Sequence, residues 1–242
     1  MPESLPEALL AVYRRLLDAY GPQGWWPGSG DPFEIVAGAV LTQAVSWKNV
    51  ELALANLRRA GALTVPALHA LDDSSLAALI RPSGYHTVKA RRLRAIVRLI
   101  VEEHGGDLGR LLALPLGELR PLLLGTYGIG EETADDILVY AAGLPSFVVD
   151  AYTVRLFTRL GLAPAGSRYR DWQAYFMAHL PADAALFNEY HALIVRHGVL
   201  RCRKRAPVCL GCPLLDRCPT GQARVAASTP QLAAQLVVQL PE

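Results

Sequence analysis

Three lysines and two methionines are all that 242 residues contain, and no cysteine occurs before residue 202. No apolar run approaches the roughly 18 residues needed to cross a bilayer, and the opening Met1-Pro-Glu-Ser lacks a basic-then-apolar signal pattern. Membrane insertion and a disulfide framework spread through the chain are both excluded, and the sequence predicts a cytoplasmic protein. Strand-like runs of useful length are also missing. Overall charge is small, +2, yet the cations are 21 Arg against only Lys48, Lys89 and Lys204, with arginines gathered at 91–98 and 201–205. Such local basic patches on a near-neutral chain suit phosphate contacts.

What is present is apolar material in helical spacing. The hydrophobic fraction of 52% can fill one large or two small cores. Leu5, Leu9, Val12, Leu16 and Tyr20 define an amphipathic opening helix ended by Gly21-Pro22. Trp25-Trp26-Pro27 follow in a Gly/Pro-rich loop, either as core aromatics or as a stacking wall for a flat ligand. Phe33 to Gln43 reads as a buried helix, and Trp47 to Arg59 as an amphipathic one. Two short helical pieces are expected between Pro66 and Ile80, the second capped by Ser74. After a turn at Pro82 to His86, a long helix runs from Thr87 to Glu103 and stops at Gly105-Gly106. Further helices are expected at Ser167 to Leu180 and Asp183 to His197, which makes the chain all-α. In the tail, Leu232, Leu236, Val237 and Leu240 can form one apolar face.

The most informative stretch runs from Leu114 to Gly161. A helix at Leu116 to Leu124, a Gly128-Ile129-Gly130 turn and a helix from Glu131 to about Ala142 aim backbone N–H groups outward, a side-chain-free grip for a phosphate. Asp150 then stands as the N-cap of a helix from Ala151 to Leu160, a place that suits an ionised carboxylate. The second informative stretch is Cys202-x6-Cys209-x2-Cys212-x5-Cys218, all four cysteines within 17 residues. Tetrahedral zinc and a 4Fe–4S cluster are both candidates, and one Cys-x2-Cys flanked by wider gaps favours the cluster. Arg203, Lys204 and Arg205 lie between the first two cysteines, where a pinned loop would present them to phosphates.

Together, the glycine turn with Thr133-Ala134, Val149-Asp150, Leu41-Thr42-Gln43, Gly84-Tyr85-His86-Thr87-Val88-Lys89-Ala90 and His197-Gly198 leading into the cysteines resemble the endonuclease III family of helix-hairpin-helix (HhH-GPD) DNA glycosylases. The likeness covers residues 5 to 219. It implies a two-lobed all-α fold: a six-helix barrel domain at 23–145 carrying the hairpin, a 4Fe–4S iron–sulfur domain made of 1–22 and 146–219, and a tail at 220–242, with a DNA cleft between the lobes. It further implies a monomer acting on double-stranded DNA, with Asp150 catalytic, Gln43 and Tyr85 as wedges, and Gly128, Gly130, Thr133 and Lys89 on the DNA.

Breaking an N-glycosidic bond builds positive charge on the sugar, which a fixed carboxylate stabilises after the base has been extruded. Bifunctional members carry a lysine two residues after the hairpin glycine, for Schiff-base chemistry. Glu132 stands there and cannot form an imine, so base removal without efficient strand cleavage is expected. Adenine-mismatch members carry a catalytic glutamate at a position matching about Gly38, which argues against that activity. Trp25-Trp26-Pro27, Ser46-Trp47-Lys48-Asn49-Val50 and Glu132-Thr133-Ala134-Asp135 look most like the 3-methyladenine glycosylase III type. That likeness implies an alkylated purine as substrate, gripped by Trp25, Trp26 and Trp47, because a cationic base suits aromatic faces. The alternatives are a glycosylase/lyase on oxidised pyrimidines and a DNA-binding protein with little catalysis.

Overall fold

The computed structural model describes residues 3–26 and 30–227, and the all-α expectation holds: among these residues every regular element is helical. Pro27 and the apolar positions Leu232 to Leu240 of the tail lie outside the described residues. Two compact units form. One comprises Met1–Gly24, Val149–Pro181 and Glu189–Glu242, so far as these are described; the other comprises Trp25–Val148 and Ala182–Asn188.

In the first unit, α1 (Leu5–Tyr20) begins with a capping box between Ser4 and Glu7 and buries Leu9, Val12 and Leu16, the stripe its spacing demands. It shares a core with α10 (Ala151–Leu160), α11 (Tyr169–His179) and the part of α12 (Ala184–Leu200) from Glu189 on. Phe157 meets Phe176 edge-to-face at 4.8 Å, and the buried Tyr190 donates its hydroxyl hydrogen to the Leu9 carbonyl at 2.6 Å. A buried phenol without such an acceptor would be costly.

The second unit is built round α2 (Pro32–Leu41), in which every residue from Phe33 to Leu41 is buried. Asp31 caps it through the Phe33 and Glu34 amides, and the buried Glu34 is matched by Arg58 at 2.7 Å. Around it lie α3 (Trp47–Arg59), α4 (Val65–Ala70), α5 (Asp73–Leu79), α6 (His86–His104), α7 (Leu108–Leu112), α8 (Leu116–Gly125) and α9 (Glu131–Asp136). The core joins Val36, Val40, Leu54, Leu93, Val97 and Ile137.

Two local expectations need correction. The cap of α5 is Asp72, not Ser74: the carboxylate accepts the Ser75 amide at 2.9 Å and the hydroxyls of Ser74 and Ser75 as well, which a serine oxygen could not do. The helix expected to run from Glu131 to Ala142 is α-helical only to Asp136. Ile137–Ala141 then widen into a π turn, closed by the Ala142 amide on the Ile137 carbonyl at 3.0 Å.

Candidate active site

In the first unit, Asp150 is the N-cap of α10 in extended backbone. One carboxylate oxygen, Oδ1, accepts the Thr153 amide at 2.7 Å and the Thr153 hydroxyl at 2.9 Å. The other, Oδ2, stands 3.8 Å from Nε2 of His191, and both side chains are nearly enclosed, at 12% and 9% exposure. Burial pushes the carboxyl's pKa upward most strongly. The His191 contact and the two Thr153 bonds together outweigh it and hold the group below its ordinary value. Asp150 is therefore an ionised carboxylate at neutral pH, fixed at a helix N-terminus that also favours its charge. His191 is not legible from the sequence. The one available signal is a histidine on the buried side of an apolar helix, which is usually packing.

In the second unit, the hairpin joins α8 to α9. Gly128 has φ +82°, and a Cβ there would run into the Arg92 stem, so glycine is required twice over. Gly130 caps α9, Thr133 is buried, and Glu132 is exposed at the surface. Gln43 is bound into this turn: its amide donates to the Gly128 carbonyl at 3.0 Å and to the Thr133 hydroxyl at 2.9 Å, and its oxygen accepts from Arg92. The structure thus gathers Gln43, Gly128 and Thr133, and adds Arg92, which helical periodicity marks only as off the apolar stripe.

Trp25, Trp26 and Trp47 also come together in this unit. Trp26 meets Trp47 at 5.0 Å, nearly perpendicular, with Trp25 5.8 Å away and Tyr140, which carries no signal in the sequence, at 5.3 Å. Gly38 is the reason Trp26 fits: a Cβ there would lie 2.6 Å from its Cζ2. The Trp26 Nε1–H is buried with no hydrogen-bond partner among the described residues, whereas that of Trp47 donates to Glu51 at 2.8 Å. Tyr85 is 74% exposed and holds a left-handed conformation with φ 43°, unusual for a residue with a side chain. Lys89, expected on the DNA, is instead buried at 1% exposure. Its ammonium donates to the carbonyls of Leu41 at 2.8 Å and Ser83 at 2.6 Å, which closes the end of α2 onto α6.

The four cysteines belong to the first unit, are free of disulfides, and line one pocket with His197, Leu156 and Leu214. Among the described residues, no group of three or more His, Cys, Asp or Glu side chains could hold a metal ion as it stands. The donor set and its surroundings nevertheless fit a thiolate-ligated cluster. Arg159 donates to Cys202 Sγ at 3.2 Å, the Gly221 amide donates to Cys218 Sγ at 3.2 Å, and His197 Nε2 lies 3.8 Å from Cys212 Sγ. Donors aimed at sulfur stabilise thiolate charge. Burial pushes the Cys212 and Cys218 thiols up, so deprotonation falls to the charge of whatever they bind. Arg159 also grips the Arg203 and Lys204 carbonyls at 2.9 and 3.0 Å, which leaves the side chains of Arg203, Lys204 and Arg205 exposed on a fastened loop.

Comparison with known proteins gives consistent likenesses. Residues 37–181 match the family model described as HhH-GPD superfamily base excision DNA repair protein. The chain is 42% identical over 225 residues to the putative DNA repair glycosylase MJ1434 of Methanocaldococcus jannaschii, covering 90% of this chain and 99% of that one. Endonuclease III of Escherichia coli is 27% identical over 187 residues, 77% of this chain and 83% of the relative. Among solved structures, 3-methyladenine DNA glycosylase of H. pylori bound to 1,N6-ethenoadenine superposes with a TM-score of 0.68 at 29% identity, covering 81% of this chain and 98% of that one. A trapped endonuclease III–DNA covalent intermediate superposes with a TM-score of 0.78 over 91% and 98% of the two chains. Its 21% identity makes it a likeness of fold alone.

Proposed function

Because the chain belongs to the HhH-GPD superfamily of base excision DNA repair proteins, we propose that it is a monofunctional DNA glycosylase that hydrolyses the N-glycosidic bond of an alkylated purine extruded from duplex DNA. The observation that carries this reading is a helix-capping Asp150 held ionised by its contacts, in a chain that has a carboxylate, Glu132, at the position where a lyase needs an amine. As the C1′–N bond breaks, its electron pair leaves with the base. Asp150 stabilises the cationic sugar, the attacking water forms the C1′–O bond, and its proton passes to the carboxylate. N3- or N7-alkylation makes the purine cationic, so it leaves readily and is attracted to the faces of Trp25, Trp26 and Trp47. The likeness to the H. pylori enzyme supports a modified purine.

In this reading Gln43 and Tyr85 fill the space the base vacates, and Gly128 and Gly130 offer amides to a backbone phosphate. Arg203, Lys204 and Arg205 add charge to that grip. Cys202, Cys209, Cys212 and Cys218 would hold a 4Fe–4S cluster, which when bound ties four points of this loop together. The protein works as a monomer in the cytoplasm, with residues 23–145 as the barrel domain and residues 1–22 and 146–219 as the cluster domain.

The test is base release from methylated and from thymine-glycol duplex DNA, each with and without alkali. Release of 3-methyladenine with strand breaks only after alkali is expected, and Asp150→Asn should abolish it while DNA binding persists. Alkali-independent breaks at thymine glycol would overturn the monofunctional assignment.

A further inference from the structure

We propose that His191 is a positioning residue for the Asp150 carboxylate, holding Oδ2 in place for the attacking water. This rests on the reading of Asp150 as the catalytic group. Thr153 saturates Oδ1 with its amide and hydroxyl, which fixes the carboxylate plane and leaves Oδ2 as the reactive oxygen. His191 Nε2 stands 3.8 Å from Oδ2. That is too long for a direct hydrogen bond, yet it sets the edge of the imidazole against the carboxylate.

The imidazole has little freedom to move. His191 is 7% exposed, and its helix neighbours Tyr190, Ala192, Leu193 and Ile194 are all buried. Burying a polar ring where an aliphatic one would pack is unfavourable, so a use for it is expected. Glu189, two residues before it, accepts the Gln23 amide at 2.6 Å, and the Tyr169 hydroxyl accepts the amide of Val149, the residue preceding Asp150, at 3.3 Å. His191 is the basic side chain set against Asp150. It keeps the carboxylate ionised and aimed until the water's proton arrives, and exchanges no proton with substrate itself.

The experiment is single-turnover base release from methylated duplex DNA by the full chain, read across pH, for the parent, His191→Leu, His191→Gln and Asp150→Asn. Replacing the imidazole by leucine should slow release by about tenfold or more and move the acid limb of the profile upward, because the carboxyl is then without a partner that holds its pKa down. Glutamine, which retains a donor, should recover most of the rate. DNA affinity should be unchanged in both. Should the leucine variant fail to fold, His191→Asn, polar but shorter, replaces it. A leucine variant with the parental rate and acid limb overturns the proposal. So does equal slowing by leucine and glutamine with an unmoved limb, which would mean that the ring only packs. If the parent itself releases no more base than Asp150→Asn, the glycosylase reading has failed, and the role of His191 falls with it.

Discussion

Lys89 shows how one buried charge is made tolerable. An ammonium taken out of water needs acceptors, and the Leu41 and Ser83 carbonyls supply them at 2.8 and 2.6 Å. Lys89→Met would leave both carbonyls without their donor, at roughly 2–3 kcal/mol of stability, visible as a lower urea midpoint. The salt dependence of DNA binding should not change, since the side chain reaches no solvent. Burial also pushes the Lys89 ammonium down to about 8, with the Arg92 charge adding to the effect. The unfolded chain keeps its proton up to roughly 10.4, so between those values the unfolded state binds more protons than the folded one. Stability of the parent should therefore climb with pH across that window, and the Lys89→Met variant should lack this component of the slope.

Helix α2 shows how an element is shaped by what leans on it. Glycine inside a helix costs about 1 kcal/mol relative to alanine, and α2 carries Gly38 in its interior. The Trp26 indole occupies the space a side chain would take, with Cζ2 2.6 Å from an ideal Cβ. Gly38→Ala should thus reverse the usual sign. The methyl group displaces Trp26 from its packing on Trp47 and Tyr140, and stability falls by about 1–3 kcal/mol as for other overpacked cores. Tryptophan fluorescence would report the displacement directly, and a stabilised variant with unchanged fluorescence would contradict this packing. The same close approach explains why a glutamate at position 38 is incompatible with Trp26 where it lies. In the hairpin, by contrast, glycine at position 128 answers a backbone need as well as a steric one, since its φ is positive.

For the molecule as a whole, a net charge of +2 means that affinity for a polyanion must come from local placement of cations. The cysteine loop does this by fastening its backbone while leaving charge outside: Arg159 holds the Arg203 and Lys204 carbonyls, and the three basic side chains face solvent. Replacing Arg203, Lys204 and Arg205 together by serine should weaken binding to all duplex sequences alike. The slope of log affinity against log salt should flatten by up to about 0.9 for each phosphate no longer neutralised, up to roughly 2.7 in all. Helix content and thermal stability should be retained, because the cysteines and the Arg159 grip are untouched. An unchanged slope would remove this loop from the DNA-binding surface.

Local sequence is sufficient for whatever depends on neighbours a few residues apart. Helical class follows from apolar spacing, and the Gly128 turn from glycine's access to positive φ. The Asp150 cap follows from a carboxylate preceding an amphipathic run, and the four cysteines are visible through their crowding into one loop. Helix ends, the Asp72 cap and the π turn are less legible, since several nearby donors compete or the bonding shifts register. Which distant groups meet is settled by the tertiary fold. Lys89 becomes a buried clasp reaching a carbonyl 48 residues away, and Arg92 reaches Gln43 across 49. Tyr140 joins the tryptophans over Gly38, and His191 comes to face Asp150. Spacing within one helix fixes a direction for each side chain; the partner it finds there is set by packing among helices, which no local pattern records.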